Sequence, residues 1–359
     1  LGENRYTSEQ TLDDYQKFVA RRIADGVRRA INALRPAQIA FGTAEAPEHV
    51  HNRRWVMRDG TAPPNPFGKV EKVKMNPSPG SKDLVEPAGP TDPTISFIAL
   101  REPGGRPISV YAAYSLHYVG GVGDGDISAD YYGMFCAALA KLQNATDYDP
   151  PFVAMMANGT SGDINNTNFL TPRPRSAPYE QMRKVAEDVA GKVNAALATV
   201  EWKDHAELDA RFRELNLSWR PIDADLLAWA KDKQAHPAPG SSKADLPTIY
   251  ASRVLTLAAA KNPALIPLQV FRIGDVCIGT FPCETFAETG LEFKKRSPFA
   301  HSFMVELTNG YFGYLPTPRH FALGGYETWP GTNSLEPQAA VKMLDALLEM
   351  AREVAPKAK

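Results

Sequence analysis

Five stretches of this 359-residue chain, at or just after apolar runs, carry residues that could do chemistry. "YAAYSLHYVGG" (111–121) delivers His117 at the end of a strand-like run, into Gly120 and Gly121, where backbone can approach a ligand closely. "DGDISADYYG" (124–133) follows, with Ser128 and Asp130 placed to cap the next helix. "FVAMM" (152–156) opens into "NGTSGDINNTN" (158–168), and "GTFPCETFAETG" (279–290) sets Glu284 just after a strand and at the start of a helix. "GYFGYLPTPRHFALGGYET" (310–328) carries Tyr326 behind a Gly pair. Imidazole is the commonest protein metal ligand, yet a lone His after a strand is more often a hydrogen-bonded structural residue. Glu284 is explained equally well by the dipole of the helix it opens, and Tyr326 by itself indicates little.

Two further patterns are testable against known chemistry. Gly159-Thr160-Ser161-Gly162-Asp163 has Asp where a nucleophile elbow needs a second Gly, so Ser161 is not read as a hydrolase nucleophile. The successive backbone N–H groups from Gly159 to Asp163 could still form an anion-binding concavity. His49-x-His51 in "EHVHNRRW" would put both rings on one face of a strand, a spacing that suits a metal pair; the same residues before Arg53-Arg54 also suit a solvated polar segment.

The elements that must position these residues follow from periodicity and turn chemistry. Leu12, Tyr15, Phe18, Val19, Ile23, Val27, Ile31 and Leu34 keep a helical stripe from about 10 to 34, and "QIAFGTA" then reads as a strand. Gly104-Gly105 between "TISFIAL" and "PISVYAAYSL", and Gly274-Asp275 between "LQVFRI" and "VCIGTF", predict two antiparallel hairpins. Helical stretches at about 129–143, 178–199, 223–234 and 336–353 alternate with these strands and with "FVAMM" and "HSFMVEL". The fold class expected is therefore α/β, with mixed, partly antiparallel sheets covered by helices. The segment 59–93 is dense in Pro and Gly and reads as a functional or disordered loop, and "HPAPGSSKADLP" (236–247) as a surface excursion.

Bulk properties exclude some functions. Forty basic and forty-one acidic side chains leave a net charge of −1, without the long-range field a nucleic-acid or anionic-membrane binder ordinarily uses, so no nucleic-acid partner is expected. Cys136, Cys277 and Cys283 form no C-x-x-C pair and indicate neither a disulfide framework nor a structural zinc knot. No run of eighteen apolar residues exists, so no transmembrane segment is expected, and Leu1 onward is neither a signal peptide nor a lipidation signal.

Taken together, "NRRW" (52–55), "SLHYVGGVGDGDISADYYG" (115–133), "NGTSGDIN" (158–165), "FPCETFAETGLEFKKRSPF" (281–299) and "NGYFGYLPTPRHFALGGYET" (309–328) resemble the neutral ceramidase family, zinc-dependent amidases of N-acyl sphingoid lipids. The resemblance runs over most of the chain and implies a single large catalytic-type domain over 1–359. It also implies bound Zn2+ held by two His, one Glu and one Tyr, three of which match His117, Glu284 and Tyr326. The remaining His belongs to a Thr-His-Thr-His-Ser stretch expected just upstream of Leu1; His49 and His51 sit too late to supply it. The implied substrate is a small-molecule or lipid amide, and the implied address, from family members that are often exported, is periplasmic or extracellular.

One departure bears on function. Where the ceramidases have Ser after Gly-Asp-Val, this chain has Gly162-Asp163-Ile164 and then Asn165. An amide can donate to an oxyanion but cannot act as nucleophile or proton carrier. The expected catalytic set is thus Gly162, Asp163 and Asn165 around an oxyanion, with Arg54 orienting the substrate's polar end. A zinc-activated water needs no serine, so hydrolysis survives the change while ceramide specificity becomes doubtful. The Gly-, Asp- and Asn-rich segments offer only Trp55, Tyr131, Phe286 and Trp329 as large apolar lining, which favours a shallow polar cleft and a small or sugar-like acyl group. The alternative is a non-catalytic lipid- or sugar-binding protein on the same fold.

Overall fold

A computed structural model describes residues 11–172, 176–236 and 245–356. Helix α1 (Asp14–Asn32) is started by a capping box in which Asp13 and Gln16 satisfy each other's backbone N–H groups. Strand β1 (Gln38–Glu45) follows, then a single 3-10 turn at Pro47–His49, β2 (His51–Asn52) and β3 (Arg54–Met57). Strands β4 (Val73–Met75) and β5 (Leu84–Pro87) flank β3 in a three-stranded sheet, so the segment expected as a structureless loop is partly paired. Its remaining turns hold Pro and Gly because the chain must reverse twice to bring both strands onto β3.

The predicted hairpins form. Strands β6 (Thr94–Arg101) and β7 (Pro107–Tyr114) pair antiparallel through a turn in which Gly105, at φ 93°, donates to the Glu102 carbonyl. Helix α2 (Asp130–Leu142) then crosses over to β8 (Val153–Asn158), which pairs parallel to β7 and gives the sheet order β1-β6-β7-β8. After β9 (Ile164–Asn165), paired to β2, come α3 (Glu180–Leu197), β10 (Leu208–Leu217), α4 (Ala224–Ala235) and α5 (Leu246–Ala258). The excursion expected at 236–247 lies outside the described residues over 237–244 and runs into α5 at its end.

Strands β11 (Ala264–Ile273) and β12 (Val276–Thr280) turn at Gly274, φ 60°, as the Gly-Asp pair predicts. Short β13 (Glu284–Thr285) leads into α6 (Ala287–Arg296), which crosses to β14 (His301–Val305), parallel to β12, in a second sheet of order β10-β11-β12-β14. The chain ends with β15 (Tyr314–Leu315), α7 (Pro318–Leu323), a 3-10 turn at Tyr326–Thr328 and α8 (Ala339–Val354).

Alternation along the strands explains the layering. In β6, Ile95, Phe97 and Ala99 pack on α2 and α3, whereas Ile98 joins Val276, Ile278 and Phe303 of the other sheet. On the far side of that second sheet, Ile266, Leu268 and Val270 pack against Met343, Leu347 and Met350 of α8. The result is two sheets face to face, each covered outside by helices, with a period-2 pattern that gives each strand two apolar faces. Among the described residues no helix is long and apolar enough to cross a membrane.

Candidate functional site

The two parallel pairs, β7/β8 and β12/β14, finish at one edge of this sandwich, and their exits carry the residues singled out by type and spacing. The Glu306 N–H donates to the Asn158 carbonyl at 3.0 Å, which joins the two sheets at that edge.

His117 lies three residues beyond β7, with Nε2 3.8 Å from Glu284 Oε2 and with a buried Nδ1 that has no partner. Burial first, and then the charge of Arg53, push its pKa down to about 3, so the ring is neutral and keeps a lone pair at neutral pH. Tyr131 and Tyr132 both donate to the Leu116 carbonyl. The carboxylate of Asp130, expected to cap α2, instead reaches back to accept from the N–H groups of Val119 and Gly120, each at 2.8 Å. The cap position falls to Ala129, without a side-chain bond, because Asp130 sits at φ 53° and its carboxylate is spent holding the turn after His117.

Glu284 is set by a strand pair that local sequence does not announce. β13 runs parallel to β15 with Glu284 opposite Tyr314. Its Oε1 accepts from the Tyr311 hydroxyl at 2.9 Å, and its charge acts on the nearby Tyr314 phenol. Burial and then Glu284 raise both phenols' pKa values above the ordinary range, with the Arg53 charge opposing the rise at Tyr314. The Tyr326 ring packs with its centroid 5.7 Å from that of Tyr314 and 5.7 Å from that of Trp329. His117 and Glu284 are therefore brought together, beside the Tyr311 phenol that donates to Glu284 and the Tyr314 ring opposite it in the strand pair, on which Tyr326 packs.

The two arginines divide their work. Arg53 donates from Nε to Glu327 Oε1 at 2.9 Å, lies 5.2 Å from the Tyr314 ring, and leaves a buried Nη2 without a partner. Arg54, expected to hold a substrate's polar end, is wholly buried and donates to Glu327 Oε2 at 2.5 Å and to the Gly324 carbonyl at 2.6 Å. It is enclosed because Glu327, itself fully buried, requires a second cation beside it; the guanidinium facing the site is that of Arg53. Nothing in the spacing of adjacent arginines ranks one over the other, and no local signal marks out Arg53, Tyr311, Tyr314 or Glu327.

The polar loop after β8 clamps the edge together. Gly159 donates to the Tyr114 carbonyl, Gly162 to the Thr285 carbonyl at 2.8 Å, and the Ser161 N–H and hydroxyl both to Glu306. These N–H groups are consumed within the protein, which corrects the expected anion-binding concavity. A Cβ at Gly162 would lie 2.5 Å from the Glu284 carbonyl oxygen, so a glycine there lets the loop touch β13. The fully buried Asp163 accepts from Asn52 Nδ2 at 2.7 Å and from the Ala287 N–H at 2.9 Å, holding the first turn of α6. Asn165 is only partly buried; its Nδ2 donates to Asn76 Oδ1 at 3.0 Å and its Oδ1 accepts from the Thr167 N–H.

His49 and His51 do not form a pair. His49 is in the 3-10 turn with Nε2 2.9 Å from Asp188 Oδ2, and His51 alone joins β2. Of the expected apolar lining, Trp55, Tyr131 and Phe286 are buried in the core, and Trp329 donates to Glu71 at 2.8 Å.

Among the described residues no group of three or more His, Cys, Asp or Glu could hold a metal ion. The donor types fit zinc when tyrosine is counted: a neutral imidazole whose Nε2 faces Glu284, a carboxylate and a phenol. The 3.8 Å separation of His117 and Glu284 is too long for a hydrogen bond and suits two ligands at ~2.0–2.2 Å from one ion.

No protein-family model matches the sequence, and no curated protein matches it. Solved structures do match in fold. Neutral ceramidase from Pseudomonas aeruginosa superposes with a TM-score of 0.60 at 18% identity, over 96% of this chain and 57% of that one. A ceramidase complexed with C2 gives 0.61 at 16% identity, over 96% of this chain and 58% of that one. The chain thus spans just over half the length of these proteins and shares their mixed α/β fold.

Proposed function

We propose that the chain is a zinc-dependent hydrolase of an amide or related acyl bond. The observation that carries this reading is the meeting of neutral His117, Glu284 and Tyr314 at one edge of a ceramidase-like fold. His117 and Glu284 would hold the ion, with Tyr314 as the phenolic donor and Tyr326 as the alternative. When bound, zinc supplies Lewis acidity at a carbonyl and acidifies water to a pKa of ~7. Arg53, whose charge is felt at His117, would favour a negative oxygen developing there. Tyr311 keeps a proton on its hydroxyl next to Glu284 and is half exposed, a position from which a departing amine could be protonated. Zinc content by atomic absorption, together with hydrolysis of N-acetylated amines and sugars against long-chain N-acyl sphingosine before and after chelation, tests the reading. Faster turnover of the long-chain substrate would overturn the preference for a small acyl group, and metal-free protein with undiminished turnover would overturn the zinc.

The two phenols are separable. Tyr314→Phe is expected to weaken zinc binding at least about tenfold, because it removes the phenol carried opposite Glu284 in the β13/β15 pair, whereas Tyr326→Phe leaves it within about twofold. The reverse order in a zinc titration would restore Tyr326 as the ligand.

Asn165 marks the second reading, a binding protein without turnover, since an amide stands where the ceramidases carry a hydroxyl. Asn165→Ser is expected to raise hydrolysis of N-acyl sphingosine by about tenfold or more if only that group was lost. No gain in zinc-loaded protein would mean the cleft takes a different substrate.

A further inference from the structure

Helix α1 carries an apolar stripe that the described structure leaves uncovered. No residue of the helix is buried, and Tyr15, Phe18, Ile23, Val27 and Ile31 are 73, 55, 64, 56 and 59% exposed. Scattered exposed apolar residues are ordinary, but a contiguous stripe along five turns is a contact surface. The helix holds its shape without that contact because its capping box closes the first turn.

Charge says what the surface meets. The helix holds five basic and two acidic side chains, a net +3 in a chain of net −1, so the remainder carries −4. Among the described residues its ion pairs, Lys17–Asp14, Arg22–Asp25 and Arg28–Asp25, are internal and exposed, and leave that excess unneutralised. At helical spacing Arg22 and Arg29 border the stripe, while Lys17, Arg21 and Arg28 lie opposite it. A second copy docked on the same face would bring two +3 helices together. We propose that α1 is an interfacial helix that lies flat on an anionic lipid surface, its Phe18–Ile31 stripe in the acyl boundary and its bordering arginines among the headgroups. The net charge of the whole chain conceals this, because the basic residues are concentrated on one element. The inference stands independently of any catalytic role.

Co-sedimentation of the full chain with phosphatidylcholine vesicles, with and without phosphatidylglycerol, tests it. The chain is expected to pellet with the phosphatidylglycerol-containing vesicles and to lose about tenfold in affinity as salt is raised from low to near-molar. Ile23→Ser with Ile31→Ser should weaken that binding by at least about tenfold at unchanged circular dichroism, since both side chains are exposed in the free protein. Arg22→Gln with Arg29→Gln should weaken binding to the anionic vesicles alone. A chain that stays in the supernatant with anionic vesicles, serine variants that bind as tightly as the parent, or a wild-type dimer that the serine variants split would each overturn the proposal.

Discussion

Glu284→Gln is expected to lower kcat/KM by about a thousandfold while moving the Tm by no more than a few degrees. The substitution keeps the size of the side chain and one oxygen, so Tyr311 retains an acceptor and β13 keeps its pairing with β15. What is lost is the charge. A neutral amide 3.8 Å from His117 cannot hold a cation as a carboxylate does, and losing a metal's contribution to a developing oxyanion costs several kcal/mol. A thousandfold corresponds to about 4 kcal/mol. The rate is read on the N-acyl amine that the wild-type protein turns over best, and zinc content is measured on the same samples. Full zinc occupancy and undiminished turnover in the Glu284→Gln protein would remove Glu284 from the site.

The second large effect is structural. Glu327→Gln is expected to cost about 3–5 kcal/mol, because it leaves Arg53 and Arg54 buried without a counter-charge. For a chain of this size that is on the order of a 10 °C fall in Tm, read by calorimetry. The pH dependence follows from the direction of the shift. Burial pushes Glu327 up, but Arg54 and Arg53 outweigh it and leave the folded value below the ordinary 4.5. Its contribution is then complete above 4.5 and is lost as pH falls through the folded value. Glu288 behaves alike: burial raises it, while His320, Arg319 and Thr317 draw it down to about 2. Wild-type stability should therefore fall between pH 4.5 and about 2, and the Glu327→Gln protein should show a shallower fall there. An equally steep fall in the variant would place the acid sensitivity elsewhere.

Much of the scaffold was legible because its signals are local. Gly104-Gly105 and Gly274-Asp275 specify hairpins through backbone conformations that few other residues adopt, and both hairpins form. The helices at 180–197 and 339–354 follow from apolar spacing, and those at 130–142 and 224–235 form where helical stretches are expected. His117 and Glu284 stand out because a strand that runs out into Gly or into a helix start exposes the side chain at its end.

Which neighbouring residue does the work was decided only by contacts distant in sequence. Tyr311, Tyr314 and Tyr326 are alike in type, and the fold makes Tyr311 the donor to Glu284 while the parallel pairing of β13 with β15 carries Tyr314 opposite it. Arg53 and Arg54 are adjacent, and Glu327, more than 270 residues away in the chain, takes both and draws both guanidinium groups into the interior. Gly162 and Asp163 have the residue types of catalytic groups, but Thr285, Asn52 and Ala287 consume their hydrogen bonds. The stripe on α1 is a helix face, as its spacing predicts, but periodicity reports that a face is apolar without saying what it meets. Local chemistry thus determined where elements begin, turn and end, because backbone geometry is set within a few residues. The tertiary structure decided which polar group is free to act, because a buried donor or acceptor binds whatever partner the packing brings within about 3 Å.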